Sequence, residues 1–221
     1  MRFFLTILLF CFSLTAFSQT PLNLTTAIYQ NNDEPFHSHQ GDGQFDSALA
    51  MSIQNNPIKS LREQIEIALK IKLDYFKQWN PNGEAHVTVV TPVEFFHVLK
   101  SKLSMIEIDA IADKYDIQNS RLMIQGIGSA KAWVEGKEEE TFFVIVDSAG
   151  LRNIRQQIFY EFTRRGGDRC AFDPGWYFPH ITIGYTKRDL HESDGVIKNL
   201  KHSFDKRFNL KFNYSRGPSG R

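Results

Sequence analysis

His86-Val87-Thr88-Val89 and His180-Ile181-Thr182-Ile183 carry one pattern twice: a histidine and a threonine two residues apart, each followed by a β-branched residue. Side chains alternate faces along an extended strand, so each His and its Thr point one way and the Val or Ile residues point the other. Each segment therefore has a polar, reactive face and an apolar face suited to a core. If the two strands lie side by side, two imidazoles and two hydroxyls converge on one cleft.

The segments around them divide the chain. Arg2, the apolar run Phe3 to Phe17 and the Ala16-Phe17-Ser18 cleavage pattern predict a signal peptide over residues 1–18. The run is short for a membrane span, which needs about 20 apolar residues. Cys11 follows the bulky Phe10, which disfavours a lipid anchor. The chain is expected to be exported, periplasmic or secreted, with no stable membrane association after cleavage; the alternative is a segment retained as an anchor. Cleavage removes Arg2 from 26 basic residues and leaves 25 against 25 acidic ones. That balance argues against tight binding to duplex nucleic acid, which relies on many phosphate contacts. Cys170 is then the only cysteine, so no internal disulfide can form.

Residues 19–44 are polar and Asn-rich and are expected to form a flexible N-terminal arm. Within it His37-Ser38-His39 has ligand-like chemistry, with Asp33, Glu34 and Asp42 near in sequence, but a solvated loop is expected and no metal. Residues 45–215 are expected to form the folded domain and 216–221 a disordered tail. A first strand is predicted over Ser47 to Gln54. Ser60-Leu61-Arg62-Glu63 fits a capping box and opens a helix whose buried stripe is Leu61, Ile65, Ala68, Leu69, Leu73 and Phe76. Asn80-Pro81-Asn82-Gly83 would end it. Short helices follow over Pro92 to Lys100 and Ile108 to Tyr115, and strands over Arg121 to Trp133 and Thr141 to Asp147. Glu135 to Glu140 reads as a charged hairpin tip between those strands. A long helix from Leu151 to Arg165 stops at Gly166-Gly167, and a last strand covers Ser203 to Tyr214. Strands alternating with helices, without a glycine-rich phosphate loop, indicate an α+β class.

Histidine titrates near neutrality, so two imidazoles flanking a phosphorus can act as general base and general acid without a metal. Threonine hydroxyls can donate to the nonbridging oxygens on which charge develops. Opening a strained cyclic phosphodiester by water suits this set. Further candidates flank the second motif. Tyr177 and Phe178, with Trp176, could stack on a base. Lys187, with Arg188 and His191, could reach a terminal phosphate. Tyr185 completes the substrate-binding candidates, although it shares the strand parity of Ile181 and Ile183, which favours burial unless the strand ends first. Cys170 has no base adjacent in sequence and is a poor nucleophile candidate.

The two His-x-Thr segments, and the aromatic-x-Pro-His lead-in at Tyr177 to His180, resemble the paired signatures of the 2H phosphoesterase superfamily, which includes RNA ligase-like 2′,3′-cyclic phosphodiesterases. The likeness covers Ser47 to Tyr214, although only the motifs are specific. It implies a bilobal α+β fold in which two antiparallel sheets with flanking helices line a central cleft. It also implies that His86 and His180 are the acid–base pair and that Thr88 and Thr182 hold the phosphate. The expected activity is metal-independent, cofactor-free hydrolysis of 2′,3′-cyclic phosphates of nucleotides or RNA 3′ ends to 2′-phosphates, by a monomer. By analogy His180 would activate water and His86 would protonate the 3′ oxygen, though the reverse is chemically open. The alternative is a phosphate-, nucleotide- or RNA-end-binding protein of the same fold without turnover. A two-histidine metallohydrolase lacks the ligand spacing such sites need.

Overall fold

The alternation in the two His-Thr segments is realised as neighbouring strands of one sheet. A computed structural model describes residues 18–41, 43–77 and 80–213. In chain order the elements are β1 (Thr20–Thr25), β2 (Leu49–Ile53), α1 (Asn55–Leu69), β3 (Ala85–Val90), α2 (Pro92–His97), α3 (Met105–Lys114), β4 (Met123–Val134), β5 (Lys137–Asp147), α4 (Ala149–Arg164), β6 (His180–Tyr185), α5 (Leu200–Ser203) and β7 (Phe208–Asn213). Five strands form an antiparallel sheet in the order β2-β3-β6-β5-β4. The class is α+β, as expected.

One face of this sheet is the core. Val87, Val89, Ile181, Ile183, Phe142 and Val144 are buried there against Leu61 and Ile65 of α1 and Ile154 and Ile158 of α4. Both helices present apolar residues at helical spacing: Ile58, Leu61 and Ile65 on α1, and Leu151, Ile154, Ile158 and Phe162 on α4. Each also buries one arginine, Arg62 and Arg155.

The second sheet departs from expectation. It is a two-stranded parallel pair of β1 and β7, not an antiparallel sheet. This also corrects the flexible arm, because residues 20–25 are a strand whose alternate residues Leu22 and Leu24 are fully buried, as is Ile28 beyond them. The arm is held further by amides: Gln118 Nε2 donates to the Asn31 carbonyl at 2.8 Å, and Asn31 Nδ2 donates to the Gln118 carbonyl. Only Leu22 and Leu24 carry the apolar period of two, too short a run to mark a strand by itself.

Helix α1 also differs. It begins at Asn55, with Pro57 in the first turn where a missing N–H costs little. Ser60 to Glu63 therefore lie inside the helix rather than at its cap. The helix ends at Leu69, where Lys70 takes a left-handed conformation (φ 56°). The chain then runs extended. Asp74 exchanges backbone hydrogen bonds of 2.8 and 2.9 Å with Tyr185 at the end of β6. Leu73 and Phe76 are thus not on the helical stripe. The β4–β5 turn contracts to Glu135-Gly136, both at positive φ (51° and 81°), and Lys137 to Glu140 join β5. The last strand begins at Phe208 rather than Ser203, after the short α5. The signal peptide up to residue 17 and the tail from 214 lie outside the described residues. Among the described residues no helix is long and apolar enough to cross a membrane.

Candidate active site

Val87 lies opposite Ile181 in the antiparallel β3–β6 pair. Cross-strand geometry then sets His86 opposite Thr182 and Thr88 opposite His180, all on the sheet face away from the core. The two motifs thus interlock, each histidine facing the other motif's threonine. His86, Thr88 and His180 are half-buried and Thr182 is buried.

His180 has a defined tautomer. Its Nδ1 lies 2.8 Å from the Phe178 carbonyl, which can only accept, so the proton is on Nδ1 and the lone pair is on Nε2. That Nε2 is 3.2 Å from the Lys198 ammonium. Lys198 in turn donates to both oxygens of Asp189, at 2.7 and 2.8 Å. Asp189 also accepts from Thr141 Oγ1 at 2.6 Å, Thr182 Oγ1 at 3.2 Å and the Leu190 amide at 3.0 Å. The Phe143 ring lies edge-on to His180 at 5.6 Å, with the Lys198 ammonium 5.4 Å from its centre. His86 is walled differently. The Phe76 ring packs against it at 5.3 Å, and His39 lies edge-on at 6.2 Å.

These surroundings disfavour charge on the rings. Burial pushes His86 down to about 4, and His39 beside it adds to the effect. Burial pushes His180 down to about 3, reinforced by the Lys198 ammonium. His39 is likewise lowered to about 4 by burial, with His37 contributing. For Asp189, burial acts upward, but Lys198, His180 and His191 outweigh it and hold the carboxyl well below the usual range. Both imidazoles are therefore neutral near pH 7 in the unliganded protein, over an ionised Asp189.

The substrate-binding candidates separate. Tyr177 is buried between Arg152 and Arg155, and its hydroxyl donates to the Thr88 carbonyl at 3.2 Å, so it braces the site and offers no stacking face. Phe178 is half-buried and edge-on to Trp176 at 4.9 Å, and its carbonyl fixes the His180 tautomer. Tyr185 is half-buried and lies edge-on at 5.6 Å to Phe76, the ring that packs on His86, against the parity expected for it. A β-bulge explains this: Phe143 pairs with Thr182 and Phe142 with Gly184, so the register skips Ile183 and the alternation is reset. Lys187 is exposed and paired with Glu135 at the β4–β5 turn, and Arg188 is paired with Asp194 at 2.6 Å. Among the described residues, the ion pairs of Lys187 and Arg188 are with these carboxylates and not with the His-Thr cluster. Cys170 is exposed.

Sequence reasoning missed Asp189, Lys198, Phe76, Phe143 and His39. His39 was expected in a solvated loop, but its carbonyl accepts from the Ala48 amide at 3.0 Å, which anchors it beside β2 and buries it. Asp189 and Lys198 lie between the second motif and Ser203, where no strand or helix is predicted, and only their mutual burial distinguishes them. Among the described residues, no three His, Cys, Asp or Glu side chains are grouped as metal ligands.

No curated protein and no solved structure matches the chain. A family does: the Swiss Army Knife 2H phosphoesterase domain, over residues 48–191, a span that contains both His-Thr strands and Asp189 and stops short of Lys198. With that span covering well over half of the sequence and the two motifs meeting on adjacent strands, the chain belongs to the 2H phosphoesterases.

Proposed function

We propose that this protein is a metal-independent cyclic phosphodiesterase that hydrolyses 2′,3′-cyclic phosphates of nucleotides or RNA ends to 2′-phosphates. The observation that carries the reading is the His180 tautomer: Nδ1–H is engaged by the Phe178 carbonyl, and Nε2, which carries the lone pair, belongs to a ring on the same sheet face as His86 and meets the Lys198 ammonium. His180 accepts a proton from water as the water oxygen bonds to phosphorus. The bond from phosphorus to the 3′ oxygen breaks, and His86 delivers a proton to that oxygen. The ring protons then re-equilibrate with solvent, so one water is consumed per ester opened. Thr88 and Thr182 donate to the nonbridging oxygens, Thr182 by turning from Asp189. His86 starts neutral, and the negative charge of bound phosphate favours its protonation.

Phosphorus NMR of the purified protein with a panel of cyclic phosphates tests this, with chelator present in one arm. Turnover should persist in chelator, and His86→Ala or His180→Ala should lower kcat by about 10²–10⁴. Full activity in either variant would eliminate the mechanism. A second reading, binding without turnover, is favoured by one observation: Lys198 and Asp189 already engage His180 Nε2 and Thr182 Oγ1. It predicts cyclic nucleotide binding with no product. We propose further that residues 1–18 direct export and that the enzyme acts as a monomer outside the cytoplasm. N-terminal sequencing of protein recovered from the medium or periplasm, and its mass in solution, check these two points.

A further inference from the structure

Lys198 lies beyond the part of the chain matched to the family, in the segment between residues 192–194 and α5. Its side chain is 5% exposed. An ammonium has three N–H donors. Two are directed to the oxygens of Asp189 and the third to His180 Nε2, the atom that the proposed reaction uses as base. Burying a Lys–Asp pair costs desolvation that well-packed apolar side chains would avoid, so the pair is a poor choice if stability alone is at stake. Asp189 also accepts the Thr182 hydroxyl, so one carboxylate holds Lys198 and the second-motif threonine side by side, and of the two only Lys198 has an N–H left over for another acceptor. Whatever oxygen approaches His180 Nε2 meets the Lys198 ammonium at once.

We propose that Lys198 is a catalytic residue of this phosphoesterase, donating its third N–H to a nonbridging phosphate oxygen, with Asp189 as the residue that positions it. The inference rests on the reading of the site as a phosphodiesterase. On binding, a phosphate oxygen takes the place of Nε2 as acceptor for Lys198, which frees the imidazole lone pair for water. The ammonium then faces the charge that grows on the phosphoryl oxygens as the fifth oxygen arrives. No proton leaves Lys198 and no bond is made to it. The loss of one such donor lowers kcat by about 10²–10³.

Lys198→Met alone leaves Asp189 buried and unpaired, so the informative variant is the neutral double Lys198→Met with Asp189→Asn. It is compared with the wild type for thermal unfolding, for kcat and KM on a cyclic phosphate, and for inhibition by inorganic phosphate. The double variant should fold, lose about 10²–10³ in kcat and bind phosphate at least about tenfold more weakly. A folded double variant with wild-type kcat/KM and phosphate affinity overturns the role of Lys198 and leaves the hydrolase reading standing. Conversely, a wild type that hydrolyses no cyclic phosphate, but whose phosphate binding depends on Lys198, sinks the hydrolase reading and keeps the lysine as the anion ligand. Should the double variant not fold, the intact protein with ¹⁵N-labelled lysine decides: the Lys198 Nζ signal should move on titration with inorganic phosphate, and a signal that stays put refutes the contact.

Discussion

Arg155→Met is expected to loosen the site from behind. Arg155 is 1% exposed, on the core side of α4. Its NH1 donates to the Val89 carbonyl at 2.6 Å, one residue past Thr88. Its NH2 pairs with Glu94 at 2.8 Å and reaches the Asp173 carbonyl at 3.1 Å, while Nε reaches the Pro174 carbonyl at 3.3 Å. The guanidinium is flanked by the rings of Phe172 and Tyr177, at 4.7 and 4.8 Å. One side chain thus ties the strand of the first motif to the turn that delivers the second. Removing one partner of a buried ion pair costs about 3–5 kcal/mol. Glu94 is 26% exposed and still caps α2 through Thr91, so it can be rehydrated and the lower end, about 3 kcal/mol, applies. At roughly 2–4 °C per kcal/mol for a chain of this length, Tm should fall by about 6–12 °C. Arg155→Lys keeps the charge but not the planar fork, and should fall between wild type and Met. Thermal unfolding followed by circular dichroism reads the effect, and kcat on a cyclic phosphate should drop with it. A Met variant melting within about 2 °C of wild type would refute the linkage, because the charge could not then be paired and buried as described.

The remaining predictions concern pH and one glycine. Burial disfavours the imidazolium, so the free protein needs His180 unprotonated above about 3 and His86 protonated below about 4. The profile of kcat/KM should therefore be highest on the acid side and decline about tenfold per pH unit above pH 4. The groups that set these values are Lys198, Asp189 and His191 around His180, and His39, Asp189 and Lys198 around His86. The kcat profile should extend to higher pH, because bound phosphate favours the protonated ring. A kcat/KM that is flat to pH 7 would count against this assignment. Gly184→Ala places a Cβ 2.9 Å from the Asp74 carbonyl oxygen and 3.0 Å from Leu73 Cβ. Backbone on one side leaves little to yield, so urea unfolding should show a loss of about 1–3 kcal/mol. KM should rise as the segment carrying Phe76 shifts, and unchanged stability would mean that this strand end has room to give.

Several outcomes trace to the range over which each signal acts. The faces of His86, Thr88, His180 and Thr182 were legible because side-chain alternation is a property of the local backbone. The same rule failed at Tyr185, where pairing with β5 inserts a bulge at Ile183; Gly184 beside it is the residue type that marks such a bulge, but the alternation alone does not register it. Helix α1 was legible in its buried stripe through Ile65, but not in its end, since Leu73 to Phe76 are drawn off by pairing with Tyr185. The strand at Thr20 to Thr25 was hidden because a single parallel partner at the far end of the chain completes it. Asp189 and Lys198 were not singled out because a charged side chain looks the same, solvated or buried, until the fold closes over it.

By itself the sequence determined the α+β class, the two His-Thr strands and the reactive faces they present, since each follows from residue type and spacing within a few positions. Only the tertiary structure decided that the motifs interlock, that Phe76 and His39 wall His86, and that Lys198 meets His180 over Asp189. Those contacts join segments distant along the chain, and which segments meet is set by the burial of the whole core rather than by any stretch of it.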